Sequence, residues 1–330
     1  MKISNFVDLV ADAQRRDLTI NSMAMDDNGN VVDPFDGQDD LKNGVLRHTS
    51  AAFEEDPVRV LRVARFRARL GPQWTVAPET VSLIASMAKR GVLNELTAER
   101  VWKELSRSLM EPHPRLFFDT LLESDALHVL FPEVYRLKTA LESRKWHPEG
   151  DAYEHTMLVL TQAALLAPSN RLDIMLACLV HDFGKGLTPR HLLPKHYGHD
   201  VNGVPVVKEF CDRLSVPTKM RDAAMTATRY HMYGHKLRDM NPKTFVKMFD
   251  AMNAKNDPAK VFVLYWVFIC DHRGRLGSEN SDPSHLGYFL QIWKAYSSVR
   301  FADVFPNGET NVNKIRDGLF RARVQAVSAA

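Results

Sequence analysis

Four side chains, His155, His181, Asp182 and Asp271, are of the types that hold a divalent transition ion. Two imidazoles and two carboxylates offer nitrogen and oxygen donors and leave coordination positions open for water. His181 and Asp182 open the stretch HDFGKG, which ends the apolar run IMLACLV. Its glycines permit a sharp exit that turns both side chains toward a cavity. His155 lies in YEHTMLVL, a helical stretch whose apolar face is otherwise core, and Asp271 follows the apolar run VFVLYWVFIC. A buried helix thus carries a carboxylate inward, which is costly unless it is paired or ligates a cation. His181 and Asp182 are the expected catalytic residues, since a bound ion lowers the pKa of water and polarises a phosphoryl oxygen. A buried polar cluster without an ion is the alternative. His196, His199 and His231 could complete a second metal position or touch a phosphate. Trp146, between Lys145 and His147, could stack on a base or fill a core.

The second group is EEDPVRVLR. Asp56 and Arg59 are three apart, on one face of an expected helix. Asp offers acceptors and Arg a fixed fork of donors. Cytosine and adenine present an amino donor beside a ring-nitrogen acceptor, and guanine and uracil present the reverse order. An Asp–Arg pair can therefore accept C and A and reject G and U without a template. Arg62, Arg65 and Arg69 continue the stripe within an arc of ~120°, suited to phosphate or an RNA backbone. The alternative is a solvated basic face with Asp56 capping the helix.

These groups need elements to hold them. LTINSMAM and VVDPF flank Asn28-Gly29, a strong signal for a tight β-hairpin. From residue 51 the pattern is helical. Asp56 is the expected cap, Pro57 the first helical position and Gly71 the stop of one helix. PETVSLIASMAKRG and TAERVWKELSRSLME follow the same logic. Further helices are expected over 152–166, 171–182, 201–214, 218–231, 242–252 and 257–271, then a loop and one or two helices. The expected fold class is mainly α, with a small β-hairpin at the start.

The 330 residues suffice for two or three domains with their own cores. A net charge of +3 permits a nucleic-acid partner without requiring one. Cys178, Cys211 and Cys270 are far apart with no CxxC spacing, so neither a disulfide framework nor a cysteine zinc site is expected, and the expected compartment is a reducing cytoplasm. No apolar run is long enough to span a bilayer, and no secretory leader is expected.

Several stretches together carry a resemblance. RRDLTINSMA, DPFDGQDDL, EEDPVRVLRVARFRARLG and LTAERVWKEL follow the order found in class II tRNA nucleotidyltransferases, the CCA-adding enzymes. KWHPEGDAYEHT and HDFGKGLTP are similar to the bacterial multifunctional form with an HD phosphohydrolase domain. The resemblance implies a nucleotidyltransferase palm remnant, a helical neck and body, and an all-α HD domain. It implies that Arg15, Arg16, Asp17 and Asn21 contact the ribose and phosphates of an incoming nucleotide, that Asp56 and Arg59 read its base, and that Arg100 supports it from the neck. It places His155, His181, Asp182 and Asp271 in HD-domain order as ligands of a divalent ion (Mg, Mn, Ni or Co).

The expected domains are 1–50 (palm remnant), 51–140 (neck and body, binding nucleotide and tRNA), 141–275 (HD phosphohydrolase) and 276–330 (helical tail). The resemblance implies tRNA, CTP and ATP as partners and substrates. The family's glycine-rich loop and Asp-x-Asp metal clamp are not found in the 14 residues before Arg15. Nucleotidyl transfer is therefore expected to need carboxylates from a separate palm fragment or from upstream sequence, and an open hairpin edge is expected to favour self-association or docking of such a fragment. Three functions follow: tRNA 3′-end CCA maturation; a stand-alone HD phosphohydrolase or 2′,3′-cyclic phosphodiesterase on RNA or nucleotide ends; and a non-catalytic tRNA-binding module.

Overall fold

A computed structural model describes residues 6–26, 28–168 and 171–330. The chain divides into two compact units, one ending at residue 139 but including 210–216, the other holding 140–209 and 217–330. As expected, the fold is mainly α: among the described residues there are two sheets, each of two short strands.

Helix Val58–Leu70 is the centre of the first unit. Val60, Leu61, Val63, Ala64 and Ala68 are fully buried, and the helix packs on Ala98–Leu109 and Arg115–Glu123. The Asp56 carboxylate accepts the Val58 N–H at 3.2 Å, so Asp56 satisfies one of the free donors of the first turn. Gly71 ends the helix at φ 97°, a conformation that disfavours any side chain.

The hairpin is present but shorter than expected. Ala24–Met25 pairs antiparallel with Val31–Val32, Ala24 opposite Val32 and Met25 opposite Val31. The turn is a wider loop instead of a two-residue connection, because the Asp26 carboxylate accepts the N–H groups of Asn28 and Asn30 at 2.9 and 2.8 Å. Asp27 lies outside the described residues. The first half of LTINSMAM is not a strand but a 3-10 turn, Thr19–Asn21. Local side-chain bonds win there: Asp17 accepts the Leu18 N–H at 3.0 Å and the Ser22 hydroxyl donates to the Leu18 carbonyl at 2.8 Å. A parallel pair, Val45–Leu46 with Thr75–Val76, was not anticipated. Asp12, on helix Phe6–Gln14, pairs with Arg16 at 2.8 Å, and the Asp8 side chain lies outside what is described.

In the second unit, Leu172–Val180 is apolar on almost every side and packs against Ala152–Leu166, Thr218–Tyr230 and Pro258–Arg273. Such a helix belongs in a core. It delivers His181 and Asp182 at its end. A 3-10 segment, Phe183–Leu187, follows. Gly184 is needed there for close approach, since a Cβ at that position would lie 2.0 Å from the His199 carbonyl oxygen. The glycine brings helix His199–Arg213 against the HDFGKG segment, a different service from the sharp exit expected. Helices Gly287–Ser298 and Val312–Ser328 follow, the latter packed on Pro242–Ala251. The three cysteines are buried and unbridged. Among the described residues no helix is long and apolar enough to cross a membrane.

Candidate functional site

The first unit holds a cleft of about 360 Å³. Arg15, Asp17, Asp56, Arg59, Arg62 and Arg100 line it, six of the eight residues expected to bind nucleotide. Arg16 and Asn21 do not line it. Arg16 donates to the Asn21 carbonyl at 2.9 Å, and the Asn21 amide donates to Asp17 at 3.0 Å, so both brace the wall from behind. Lys103 and Arg107, not anticipated, add two more cations. They lie three and seven residues after Arg100, one face of a helix that the period alone could have flagged.

Asp56 and Arg59 do not pair with each other. Both Asp56 oxygens accept from Arg100 at 2.7 and 2.8 Å. The Arg59 fork donates to the Arg15 carbonyl at 2.5 Å and to the Ala52 carbonyl. Asp17 is bound by Arg62 at 2.6 Å. The arginine stripe divides: Arg59 and Arg62 face the cleft and Arg69 is exposed. Arg65 is buried, with Nε on Glu104 at 2.7 Å. That correction to the continuous stripe has a simple cause, since a buried carboxylate 39 residues away claims the guanidinium.

The second unit brings the four expected metal ligands together. His155 Nε2 lies 3.1 Å from Asp271 Oδ1 and 3.8 Å from Asp182 Oδ2, and His181 Nε2 lies 3.2 Å from Asp182 Oδ2. All four residues are at most 3% exposed. Their tautomers follow from their partners. His181 Nδ1 donates to the Cys178 carbonyl at 2.8 Å, and His155 Nδ1 donates to Glu149 at 3.1 Å. Each Nε2 is left facing carboxylates. A ring nitrogen held by its other side in this way is the usual arrangement of a metal-binding histidine.

His199 and His231 repeat the pattern. Their Nδ1 atoms donate to the carbonyls of His196 and Thr228 at 2.7 and 2.8 Å. Their Nε2 atoms face each other at 3.1 Å and lie 3.4 and 3.3 Å from Asp182 Oδ1. Two lone pairs at that separation call for a positive charge between them. His181 Nε2 is buried with no hydrogen-bond partner, which is costly unless a cation takes its lone pair. Asp182 offers one oxygen to His155 and His181 and the other to His199 and His231, and the donors in each trio lie within 4.8 Å of one another. The donor set fits divalent ions.

The electrostatics agree. Burial pushes the Asp182 carboxyl up, but His181 and Lys185 outweigh it and hold it well below the usual range. Asp271 is likewise opposed by burial and held low by His235 and His155. Burial disfavours a charged His181, yet the Asp182 charge raises its pKa. Burial drives His199 down to about 4, leaving it neutral. Behind the donors, Lys185 Nζ bonds Glu142 at 2.5 Å and Asp182 at 2.7 Å, and His147 bonds Glu142 at 3.0 Å and Glu149 at 2.9 Å. Burial alone would lower His147, but its two glutamates raise it to about 9.

A cavity of about 680 Å³ opens onto this centre. Asp182, Asp271, His199 and His231 line it, and so do His147, His196 and His235. His155 and His181 sit behind its wall. Sequence reading singled out His196, His199 and His231 only weakly, and missed Glu142, Glu149, Lys185 and His235. Lys185, within HDFGKG, and Glu149, within KWHPEGDAYEHT, lie in stretches that carry the resemblance.

Comparison with known proteins follows the same division. Residues 2–47 match the poly A polymerase head domain, 74–137 the probable RNA and SrmB-binding site of polymerase A, and 152–259 the HD domain. Solved structures share the fold across nearly the whole chain. A CCA-adding enzyme in complex with CTP aligns with TM-score 0.63 at 18% identity, covering 98% of this chain and 69% of that one. The Thermotoga maritima CCA-adding enzyme complexed with tRNA gives 0.57 at 18% identity, with 98% and 70% covered. The Bacillus stearothermophilus enzyme in complex with CTP gives 0.59 at 20%, with 96% and 70% covered. The chain shares the fold of CCA-adding enzymes and carries segments that match a poly A polymerase head domain and an HD domain.

Proposed function

We propose that this protein is a tRNA nucleotidyltransferase homologue of tRNA 3′-end maturation that uses CTP and ATP, and that its HD domain is a metal-dependent phosphohydrolase. The observation that carries the second activity is the cluster of buried ligand atoms on His155, His181 and Asp182, all within 4.8 Å of one another. His155, His181, Asp182 and Asp271 would hold one divalent ion, and Asp182, His199 and His231 form a second donor trio. Such an ion supplies Lewis acidity at a phosphoryl oxygen and acidifies water.

The chain's own groups do the rest. Glu149 orients His155, and backbone carbonyls orient His181, His199 and His231. Lys185 fixes the Asp182 carboxylate from behind. His147 bonds Glu142 and Glu149 and so fixes the two glutamates that hold Lys185 and His155.

The cleft of the first unit supports nucleotide binding. Six basic side chains face three carboxylates there. Asp17 and Asp56 are each held by an arginine, which suits positioning of a triphosphate better than chelation of a metal. The domain reading, with 51–140 as the nucleotide and tRNA-binding part and 141–275 as the hydrolase, accompanies this proposal.

Two experiments test it. Chelation should stop hydrolysis of a 2′,3′-cyclic nucleotide or nucleotide monoester, and Mg, Mn, Ni or Co should restore it; indifference to chelator refutes the metal centre. CTP and ATP should bind more tightly than GTP and UTP; equal affinities refute the nucleotide-reading cleft.

A further inference from the structure

We infer that Lys103 and Arg107 form a hold for the backbone phosphates of the RNA strand to be extended, separate from the groups that take the nucleotide. This rests on the nucleotide and tRNA-binding reading of the first unit and adds the residues that position the strand.

The charges of the cleft do not balance, and the excess is local. Its three carboxylates are already bonded: Asp17 accepts from Arg62 at 2.6 Å, Asp56 from Arg100 at 2.7 and 2.8 Å, and Glu104 from Arg65 at 2.7 Å. Lys103 lines the same cleft, exposed, and its ammonium has no hydrogen bond or ion pair among the described residues. The Arg107 guanidinium, 53% exposed, lies 3.7 Å from Glu104, beyond hydrogen-bond range. Neither cation is used up inside the protein.

Their placement is the second observation. Both lie on helix Ala98–Leu109, where Arg100, Lys103 and Arg107 follow at spacings of three and four and share one face. At 1.5 Å per residue the row runs about 10 Å. Arg100 stands at its nucleotide end, because it grips Asp56, and the other two carry the positive face away from that carboxylate. Like charges four residues apart weaken a helix, and a chain of phosphates offsets the repulsion. A nucleotide bears its phosphates in one cluster, whereas a strand presents a charge about every 3.4 Å along its axis, which a row of cations matches. Arg59 and Arg62 are fixed by bonds to this chain and suit a ligand held in one geometry. Free, flexible cations suit a backbone, which is held by charge neutralisation. The strand then lies along Lys103 and Arg107 with its 3′ end toward Asp56, where the incoming base is read.

The experiment measures, across a salt series, the binding to the full chain of a fluorescently labelled RNA hairpin (an acceptor stem whose 3′ end lacks CCA) and of CTP. Lys103→Gln with Arg107→Gln should reduce the slope of log K against log salt for the RNA by about 1.4, at ~0.7 for each lost single-strand phosphate contact. At low salt that is a loss of affinity of roughly tenfold or more. The salt slope for CTP should stay as in wild type. Lys103→Arg with Arg107→Lys, which keeps both charges, should restore the RNA slope. If wild type binds the hairpin and the glutamine variant shows the same slope, the strand hold is overturned and the tRNA-binding reading stands. A loss of CTP affinity as large as the loss for RNA also overturns the hold and assigns the two cations to the triphosphate. If wild type binds CTP but not the hairpin, the tRNA-binding reading fails and the hold fails with it.

Discussion

Lys185→Met isolates the electrostatics of the metal centre. The Lys185 ammonium bonds Glu142 at 2.5 Å and Asp182 at 2.7 Å, and the three residues are 6%, 8% and 1% exposed. Burial should drive the lysine to lose its proton, but Asp182 and Glu142 hold its pKa above the usual value. Methionine keeps the volume and removes the ammonium from two buried carboxylates, of which Glu142 keeps its bond to His147. Removing one partner of such a group costs about 3–5 kcal/mol. For a unit of this size that is roughly 6–20 °C in melting temperature. A divalent ion should reverse much of the loss. At a hundredfold over its Kd it stabilises either protein by about 2.7 kcal/mol. Without Lys185 the Asp182 charge is fully available, and a tenfold gain in affinity adds about 1.4 kcal/mol more. The assay is calorimetric melting after chelation and again with saturating Mn. Adding Asp182→Asn to the lysine variant should recover part of the metal-free stability and abolish the metal effect. A metal-free melt within about 2 °C of wild type, which at ~2–4 °C per kcal/mol is under 1 kcal/mol, or a metal shift no larger than wild type's, refutes the reasoning.

Arg65→Met should destabilise the first unit by about 3–5 kcal/mol, because Glu104 is left buried; chemical denaturation measures it, and Glu104→Leu in the same chain should restore part of it. Arg59→Glu and Asp56→Asn should each remove the preference for CTP and ATP in equilibrium binding, while Arg100→Met should weaken all four nucleotides alike. Glu142 is pushed up by burial but held down to about 2 by Lys185 and His147. Its folded pKa is thus depressed, so its contribution is present above the ordinary value of 4.5 and lost as pH falls toward 2. Melting between those pH values should fall more steeply for wild type than for Glu142→Gln.

Much of this molecule was legible in its sequence. The helix around Val58–Leu70 announces itself by an Asp–Pro start, apolar spacing and Gly71. The helices of the second unit are equally plain, because the apolar periods are local. The hairpin was half legible. Asn28-Gly29 marked the turn, but the side-chain bonds of Asp17, Ser22 and Asp26 reshaped both sides of it. Arg65 lies on the same helical arc as Arg62, and nothing local says that Glu104 will bury it. His199 and His231 lie 32 residues apart, and only the close contact at Gly184 brings His199's helix to Asp182. Of the groups that orient the ligands, Glu142, His147 and Glu149 come from one short stretch ahead of helix Ala152–Leu166 and Lys185 from HDFGKG, and they have no shared period. Pairing across sequence distance is what pattern reading cannot see.

The central claim is that His181 and Asp182 hold an ion that makes the second unit a phosphohydrolase. The most direct measurement is metal content by elemental analysis alongside hydrolysis of 2′,3′-cyclic AMP, for wild type and for His181→Ala with Asp182→Ala. Wild type should retain bound divalent metal and hydrolyse the ester, and the double variant, still folded by circular dichroism, should lose both. Metal-dependent hydrolysis persisting unchanged in the double variant would contradict the account.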